Sequence, residues 1–327
     1  MSQASVIPAK DKINIVLAHA AYRMGDAFTA RKTGVGFREV RNADDLKAAV
    51  PDADVLVVSG LWRNELLDIA PKLRFVQSIG AGTDQYSRDA FKAKGVRLAS
   101  AQGVNERAVS EHAMALILSM ARQLHLARDN QAKKNWRGMI ADLGKREEEL
   151  GGKTLVIFGL GRIGSRLADL ARAFGMKVIG VKRDPASGGS AADEVVAQAQ
   201  FRSVLPRADF VALTCPLTPE TQGLIGAEVL SAMKSSAVLI NVARGKVVDE
   251  PALTAALSEG RIGGAALDCF WEEPLGAASP LWGMPNVIVA PHTAGETRLY
   301  ESNVVDILLE NLDRLWQGQT NLRNQVI

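Results

Sequence analysis

Cysteine is almost missing from this chain. Its 327 residues include two, Cys215 and Cys269, far apart and at no metal-ligand spacing from any histidine. That excludes a disulfide framework, leaves no metal site to expect, and points to a reducing, cytoplasmic compartment. Long apolar runs are missing too, so no membrane span is expected. Residues 1–11 lack the apolar core of a signal peptide. No low-complexity tract or short repeat occurs. Charge of one sign never accumulates: the net charge is +3, with sign changes all along the chain. Nucleic acid and membrane surfaces are therefore not expected partners, which leaves a small molecule.

What is present is the raw material of large cores. Hydrophobic residues make up 47% and charged residues 23%, and mean hydropathy is +0.02, as in globular proteins. The length predicts two domains.

The most informative stretch is 155–184. Leu155-Val156-Ile157-Phe158 is a short apolar run of the kind that forms a strand buried on both faces. It passes without a spacer into Gly159-Leu160-Gly161-Arg162-Ile163-Gly164. Residues 165–175 place Leu167, Leu170, Ala171 and Phe174 at helical spacing, with Gly175 as a stop, and 177–181 reads as the next strand. Within strand–turn–helix–strand, G-x-G-x-x-G predicts dinucleotide binding. Gly159 permits the tight turn, Gly161 lets the backbone approach a pyrophosphate, and Gly164 lets the helix pack close to the strand. A glycine-rich turn without a ligand is the competing reading, and the setting disfavours it. An acidic residue usually ends the second strand and binds the ribose. Here Lys182 and Arg183 follow Val181, and Asp184 comes two places late, beside Pro185. A basic pair attracts a 2′-phosphate that a carboxylate would repel, so NADP is expected over NAD.

Other segments follow the same alternation. Strands are predicted over 13–18, 54–59, 73–78, 208–214, 237–241, 264–268 and 287–290. Helices are predicted over 43–50, within 104–128, over 129–138, and over 251–258 and 297–316. Within 104–128, Val109, Ala113, Leu116, Ile117, Met120 and Leu124 share one side. Residues 140–150 read as a solvated charged turn. Strands alternating with helices predict parallel sheets. Asn241, Arg244, Asp268, Glu273 and His292 each follow an apolar strand, so they gather at the sheet edge where such folds bind ligands. Singly, each suits a salt bridge, a solvated acid or a capping role. Together they predict a site.

With these residues in place, the chain resembles the D-isomer-specific 2-hydroxyacid dehydrogenases over nearly its whole length. The resemblance rests on Gly80-Ala81-Gly82-Thr83-Asp84, Val109-Ser110-Glu111-His112-Ala113 and the 159–164 fingerprint. It continues in Cys215-Pro216-Leu217-Thr218-Pro219-Glu220-Thr221, Asn241-Val242-Ala243-Arg244-Gly245, Leu267-Asp268 through Glu273-Pro274, and Pro291-His292-Thr293-Ala294-Gly295. It implies two Rossmann-like, doubly wound parallel-sheet α/β domains. A flavodoxin-like substrate domain would comprise 1–104 and 296–327, and a dinucleotide-binding domain 105–295. Helices near Val104 and after Gly295 would act as a hinge, and the enzyme would be a homodimer.

The resemblance also implies hydride transfer between NAD(P)H and a small 2-keto or 2-hydroxy acid, with Arg244, Glu273 and His292 as catalytic residues. Arg244 would bind the acid, His292 would exchange the proton, and Glu273 would hold the imidazole and raise its pKa. Glu272 is also available, but Glu273 holds the place before Pro274. The N–H groups of Ala81 and Gly82 would bind the substrate carboxylate, with Trp62, Arg63 and Trp282 shaping specificity. Cofactor contacts would come from Gly159, Gly161, Arg162, Ile163, Gly164, Lys182 and Arg183 on the phosphate side. Cys215, Pro216 and Thr221 would line the adenosine, while Val242, Ala243, Asp268 and Gly295 would face the nicotinamide. Without a regulatory domain after Ile327, glyoxylate or hydroxypyruvate reduction is expected rather than phosphoglycerate oxidation. The alternative is a dinucleotide-sensing corepressor or scaffold of the same fold.

Overall fold

The computed structural model describes residues 7–186 and 191–327. Residues 1–6, part of the stretch expected not to be a signal peptide, and residues 187–190 lie outside the described residues. The chain divides into two compact units, Met1–Asn105 with Thr297–Ile327, and Glu106–Glu296.

The first unit is built on five parallel strands: β1 (Ile15–Ala18), β2 (Phe37–Val40), β3 (Val55–Val58), β4 (Phe75–Ser78) and β5 (Arg97–Ala99). Their order is β2-β1-β3-β4-β5, the flavodoxin-like order of a doubly wound sheet. β1 and β3 are buried at every position, as expected of central strands covered on both faces. Helices α1 (Met24–Ala30), α2 (Ala43–Ala49) and α3 (Arg88–Lys94) connect the strands. Asn42 starts α2 by accepting the Asp45 N–H at 2.8 Å. A left-handed Gly95 ends α3.

The C-terminal helix Tyr300–Trp316 completes this unit. Tyr300, Val304, Val305, Leu308, Leu312 and Leu315 recur at helical spacing and share one core with Ile15, Leu17, Phe28, Val55 and Val57. Asn311 of the same helix is fully buried. It donates to Gln77 Oε1 at 3.0 Å and accepts the Arg323 N–H at 2.7 Å. The segment beyond the helix lies along β5, where Gln325 bridges Ala99.

The second unit carries seven parallel strands: β6 (Thr154–Phe158), β7 (Lys177–Lys182), β8 (Glu194–Ala197), β9 (Phe210–Leu213), β10 (Val238–Asn241), β11 (Gly264–Leu267) and β12 (Val287–Val289). Their order is β12-β11-β10-β9-β6-β7-β8. The chain runs outward from β6 to β8, then restarts on the other side of β6 at β9. That reversal makes a crevice beyond the carboxyl ends of β6 and β9, the usual ligand position in such sheets. Its helices are α4 (Glu106–Ala121), α5 (Leu124–Ala132), α6 (Arg162–Ala173), α7 (Phe201–Val204), α8 (Ala227–Ala232) and α9 (Glu250–Ser258). Two parallel-sheet α/β units were expected, and two are found.

Local expectations fail at identifiable places. The helix within 104–128 breaks after Ala121, because Gln123 adopts φ +50°, and α5 starts on a new phase. Leu124, expected on the apolar side, is instead exposed. Helix was expected over 129–138, but α5 stops at Ala132, no residue of α5 is buried, and Lys134 turns to φ +54°. Without an apolar face to bury, a polar segment gains too little from packing to stay helical. The strands β2, β5 and β8 went unread. All three are sheet edges, and each carries charge, Arg38 and Glu39 in β2, Arg97 in β5 and Glu194 in β8.

Removing residues 298–327 strips seven side chains from the first unit's core, Leu322 among them, each contributing about 1.5–3 kcal/mol. Their sum is comparable to the whole net stability of a domain, about 5–15 kcal/mol. The truncated chain is expected to lose the cooperative thermal transition of that unit. A truncated chain melting like the full one would contradict this architecture.

Candidate active site

The fingerprint follows β6 directly, and α6 begins at Arg162, three residues earlier than expected. Gly159 has φ +103°, and a Cβ there would lie 2.7 Å from the Cys215 backbone nitrogen. The chain leaving β9 therefore admits only glycine. A Cβ on Gly164 would sit 2.5 Å from the Gly159 carbonyl oxygen, which sets how closely the helix approaches the turn. Around Gly161 a Cβ would meet nothing within 4 Å, so this face of the turn is open. Among the described residues, the N–H groups of Arg162, Ile163 and Gly164 donate to no protein acceptor, and no side chain caps the helix. Open space, free amides and the positive end of a helix fit the pyrophosphate of a nicotinamide dinucleotide.

Lys182 is the last residue of β7, one place further than expected, opposite Ala197. Arg183 follows it. Asp184 lies in the turn beyond, where its Oδ1 accepts the Ala186 N–H at 3.0 Å. The Glu220 carboxyl is held below its ordinary range, chiefly by a hydrogen bond from Thr218 and also by the charge of Arg183. The basic end of β7 thus acts on the 215–221 turn. Within that turn Thr221 is buried; its hydroxyl donates to the Pro216 carbonyl at 2.7 Å and accepts the Thr218 N–H at 2.8 Å. Burial also pushes the Cys215 thiol up to about 11. The side chains of Cys215 and Thr221 shape this wall from within.

The remaining candidates stand where β10, β11 and β12 end. Asn241, the last residue of β10, is buried. Its Oδ1 accepts the Ala243 N–H at 3.0 Å and its Nδ2 donates to the Arg244 carbonyl at 3.1 Å. These bonds curl the Val242–Ala243 backbone into the loop that presents Arg244. Arg244 Nη1 donates to the Ala243 carbonyl at 2.8 Å. A side chain at Gly245 would collide with the Phe270 backbone, so the Arg244 loop abuts the loop carrying Glu273.

Glu273 Oε1 accepts the Phe270 N–H at 2.9 Å, and Oε2 accepts Nδ1–H of His292 at 2.7 Å. The first bond orients the carboxylate. The second selects the tautomer of His292 and leaves Nε2 for another partner. Burial opposes ionisation of Glu273, but the bonds from His292 and Phe270, with the charges of His292 and Arg244, hold its carboxyl below the ordinary range. The bond to Glu273 is the main cause that raises the His292 pKa, against burial and the Arg244 charge. His292 has φ +57°, uncommon for a residue with a side chain. Asp268 secures the turn that follows: Oδ1 accepts the Thr293 N–H at 2.9 Å and Oδ2 the Ala294 N–H at 3.0 Å. Gly295 continues this turn. Arg244, Glu273, His292 and Asp268 are therefore brought together.

Ala81, Gly82 and Trp62 belong to the first unit. Among the described residues, neither the Ala81 nor the Gly82 N–H donates to a protein acceptor. Trp62 corrects its expectation as a substrate contact. It is 3% exposed, packs against Tyr86 and Phe91, and donates its indole N–H to Asn64 at 3.1 Å. It is a core residue. Asn241 was expected at this edge but without a role, and Gly245 was not among the expected site residues. The sequence signal of Gly245 was position alone, a glycine just after the arginine.

Residues 114–294 match the family model described as D-isomer specific 2-hydroxyacid dehydrogenase, NAD binding domain. The chain belongs to that family. It is 37% identical over 295 residues to a glyoxylate reductase of Aeropyrum pernix, covering 86% of this chain and 85% of that one. It is 35% identical over 285 residues to a D-3-phosphoglycerate dehydrogenase of Methanocaldococcus jannaschii, covering 84% of this chain but only 52% of that protein. The NADPH-dependent glyoxylate/hydroxypyruvate reductase of Sinorhizobium meliloti, solved with NADP and malonate, superposes with a TM-score of 0.81 at 28% identity, covering 97% of each chain. As a member of this dehydrogenase family the protein is an NAD(P)-dependent oxidoreductase, passing hydride between the cofactor and a small 2-keto or 2-hydroxy acid. The corepressor alternative finds no support among these relatives.

The Glu273–His292 bond gives a signed pH prediction. With His292 as the proton donor, the role proposed below, reduction needs a protonated imidazole, and the bond to Glu273 raises its pKa. In Glu273→Gln the imidazole loses its proton at lower pH, so the alkaline fall of reductase kcat/KM should shift to lower pH. An unchanged pH profile would count against the pairing.

Proposed function

We propose that this dehydrogenase reduces a short 2-keto acid, glyoxylate or hydroxypyruvate, to the D-2-hydroxy acid, with NADPH preferred over NADH. The observation that carries the reading is the His292–Glu273 pair at 2.7 Å, anchored at Phe270 and acted on by the Arg244 charge. When bound, the nicotinamide supplies the hydride. The protein's part is orientation and charge.

Arg244 offers a two-pronged cationic donor to the carboxylate and keto oxygen. His292 Nε2–H donates a proton to the oxygen that becomes the hydroxyl, and Glu273 stabilises the imidazolium before that transfer. The Ala81 and Gly82 amides bind the substrate carboxylate. Asp268 and the Val242–Ala243 backbone orient the nicotinamide amide, with Gly295 alongside. Cys215, Pro216 and Thr221 shape the adenosine side. Lys182 and Arg183 receive the 2′-phosphate, and Asp184, engaged with Ala186, leaves the ribose without a carboxylate in register.

The working molecule is a cytoplasmic homodimer in this reading. Trp136, Met139 and Leu143 are 97%, 101% and 75% exposed, and burial against a second copy would remove this apolar surface from water. Among the described residues no helix is long and apolar enough to cross a membrane.

A panel of 2-keto acids assayed with NADPH and NADH tests the reading directly. Each exposed contact from Lys182 or Arg183 to phosphate contributes about 1–2 kcal/mol, so a preference of roughly ten- to several hundredfold for NADPH is expected. Lys182→Asp with Arg183→Ala should move it toward NADH while leaving the keto-acid KM nearly unchanged. Wild-type enzyme preferring NADH tenfold would overturn the cofactor assignment. Arg244→Ala should keep cofactor affinity and lose about 3–5 kcal/mol of transition-state stabilisation, two to four orders of magnitude in kcat/KM. Near-normal turnover in that variant would remove Arg244 from the mechanism.

A further inference from the structure

The motif Val109-Ser110-Glu111-His112-Ala113 has no role in the function described so far. It lies in α4, where Val109, Ser110 and Ala113 face inward and are buried. The two residues between them reach outward to different parts of the site's frame. Glu111 pairs with Arg166 of α6 at 3.4 Å, two residues beyond the fingerprint. His112 places Nε2 at 3.6 Å from Asp268 Oδ1.

That second contact stops short of a hydrogen bond, and both partners need it. His112 Nε2 is buried and, among the described residues, has no hydrogen-bond partner. Asp268 is 2% exposed, and its carboxylate accepts the Thr293 and Ala294 N–H groups. A carboxylate has about four acceptor positions, so Oδ1 retains capacity toward His112. A buried donor and a buried acceptor facing each other across 3.6 Å are satisfied together by a small movement of either side chain.

We propose that His112 is a positioning residue for the proton-donating imidazole. In the working enzyme its Nε2–H donates to Asp268 Oδ1 and fixes the plane of that carboxylate. The carboxylate then holds the 293–294 amides, and these hold His292 in its left-handed backbone conformation with Nδ1 on Glu273. The inference rests on the reading of His292 as the proton donor. Adjacent residues of α4 would thus brace two structures, α6 through Glu111 and the His292 turn through His112.

The test uses the full-length enzyme with glyoxylate and the nicotinamide cofactor it prefers. His112→Leu should lower kcat by about ten- to a hundredfold, as expected when a reacting group is held loosely. The cofactor KM and the thermal midpoint should stay near wild type. His112→Gln, whose amide nitrogen reaches the place of Nε2, should recover most of the rate. His112→Asn, whose amide stops short, should recover little. In a His292→Ala background, His112→Leu should cause no further loss. A kcat within twofold of wild type in His112→Leu overturns the proposal. Equal damage in the Gln and Leu variants overturns it, as does a better rate in Asn than in Gln, which remains decisive if the Leu variant fails to fold. Full activity in His292→Ala alone would instead refute the underlying reading of His292, so the two failures are distinguishable.

Discussion

A buried carboxylate needs donors, and at the end of β11 two backbone amides of a later turn supply them. Asp268 accepts the N–H groups of Thr293 and Ala294, and this requirement ties the end of one strand to the turn after the next. His292 sits at the start of that turn, in a backbone conformation that a side chain does not favour. The cost of that conformation is offset by satisfying the Asp268 charge, because an unpaired carboxylate in the interior would be far more costly. The Glu273–His292 bond, and the Nε2 it leaves for another partner, follow from a turn held this way.

The parallel sheet supplies the rest of the geometry. Every strand of the second unit delivers its next residue to the same edge, so residues far apart in sequence meet without any long-range signal between them. Arg244, Glu273 and His292 follow three different strands, and two abutting loops bring the first two together. Gly245 makes that approach possible, since any side chain would collide with Phe270.

Much of this was legible in the sequence for physical reasons. Central strands such as Val55–Val58 and Phe210–Leu213 are buried at every position, so hydrophobicity alone exposes them. The fingerprint was legible because its glycines answer backbone constraints, now visible as the Gly159 φ of +103° and the tight approach of Gly164 to the Gly159 carbonyl. Edge strands were not legible, because β2 and β8 each leave residues half-exposed and carry charge. The helix break at Gln123 was also hidden, since no proline or glycine marks it. Trp62 was misread because a tryptophan beside an arginine looks like a contact surface. Only the fold shows its ring between Tyr86 and Phe91.

The split of the first unit across the sequence sets an order on synthesis. Its first part, Met1–Asn105, leaves the ribosome before the 191 residues 106–296 of the other unit. Until the helix Tyr300–Trp316 follows, β1 and β3 have no cover from Val304, Leu308 and Leu312. The earliest segment made is therefore the last whose core can close. Through that interval an apolar sheet face stays open to the nascent chain's surroundings, and exposed surface of this kind draws chaperones or aggregation.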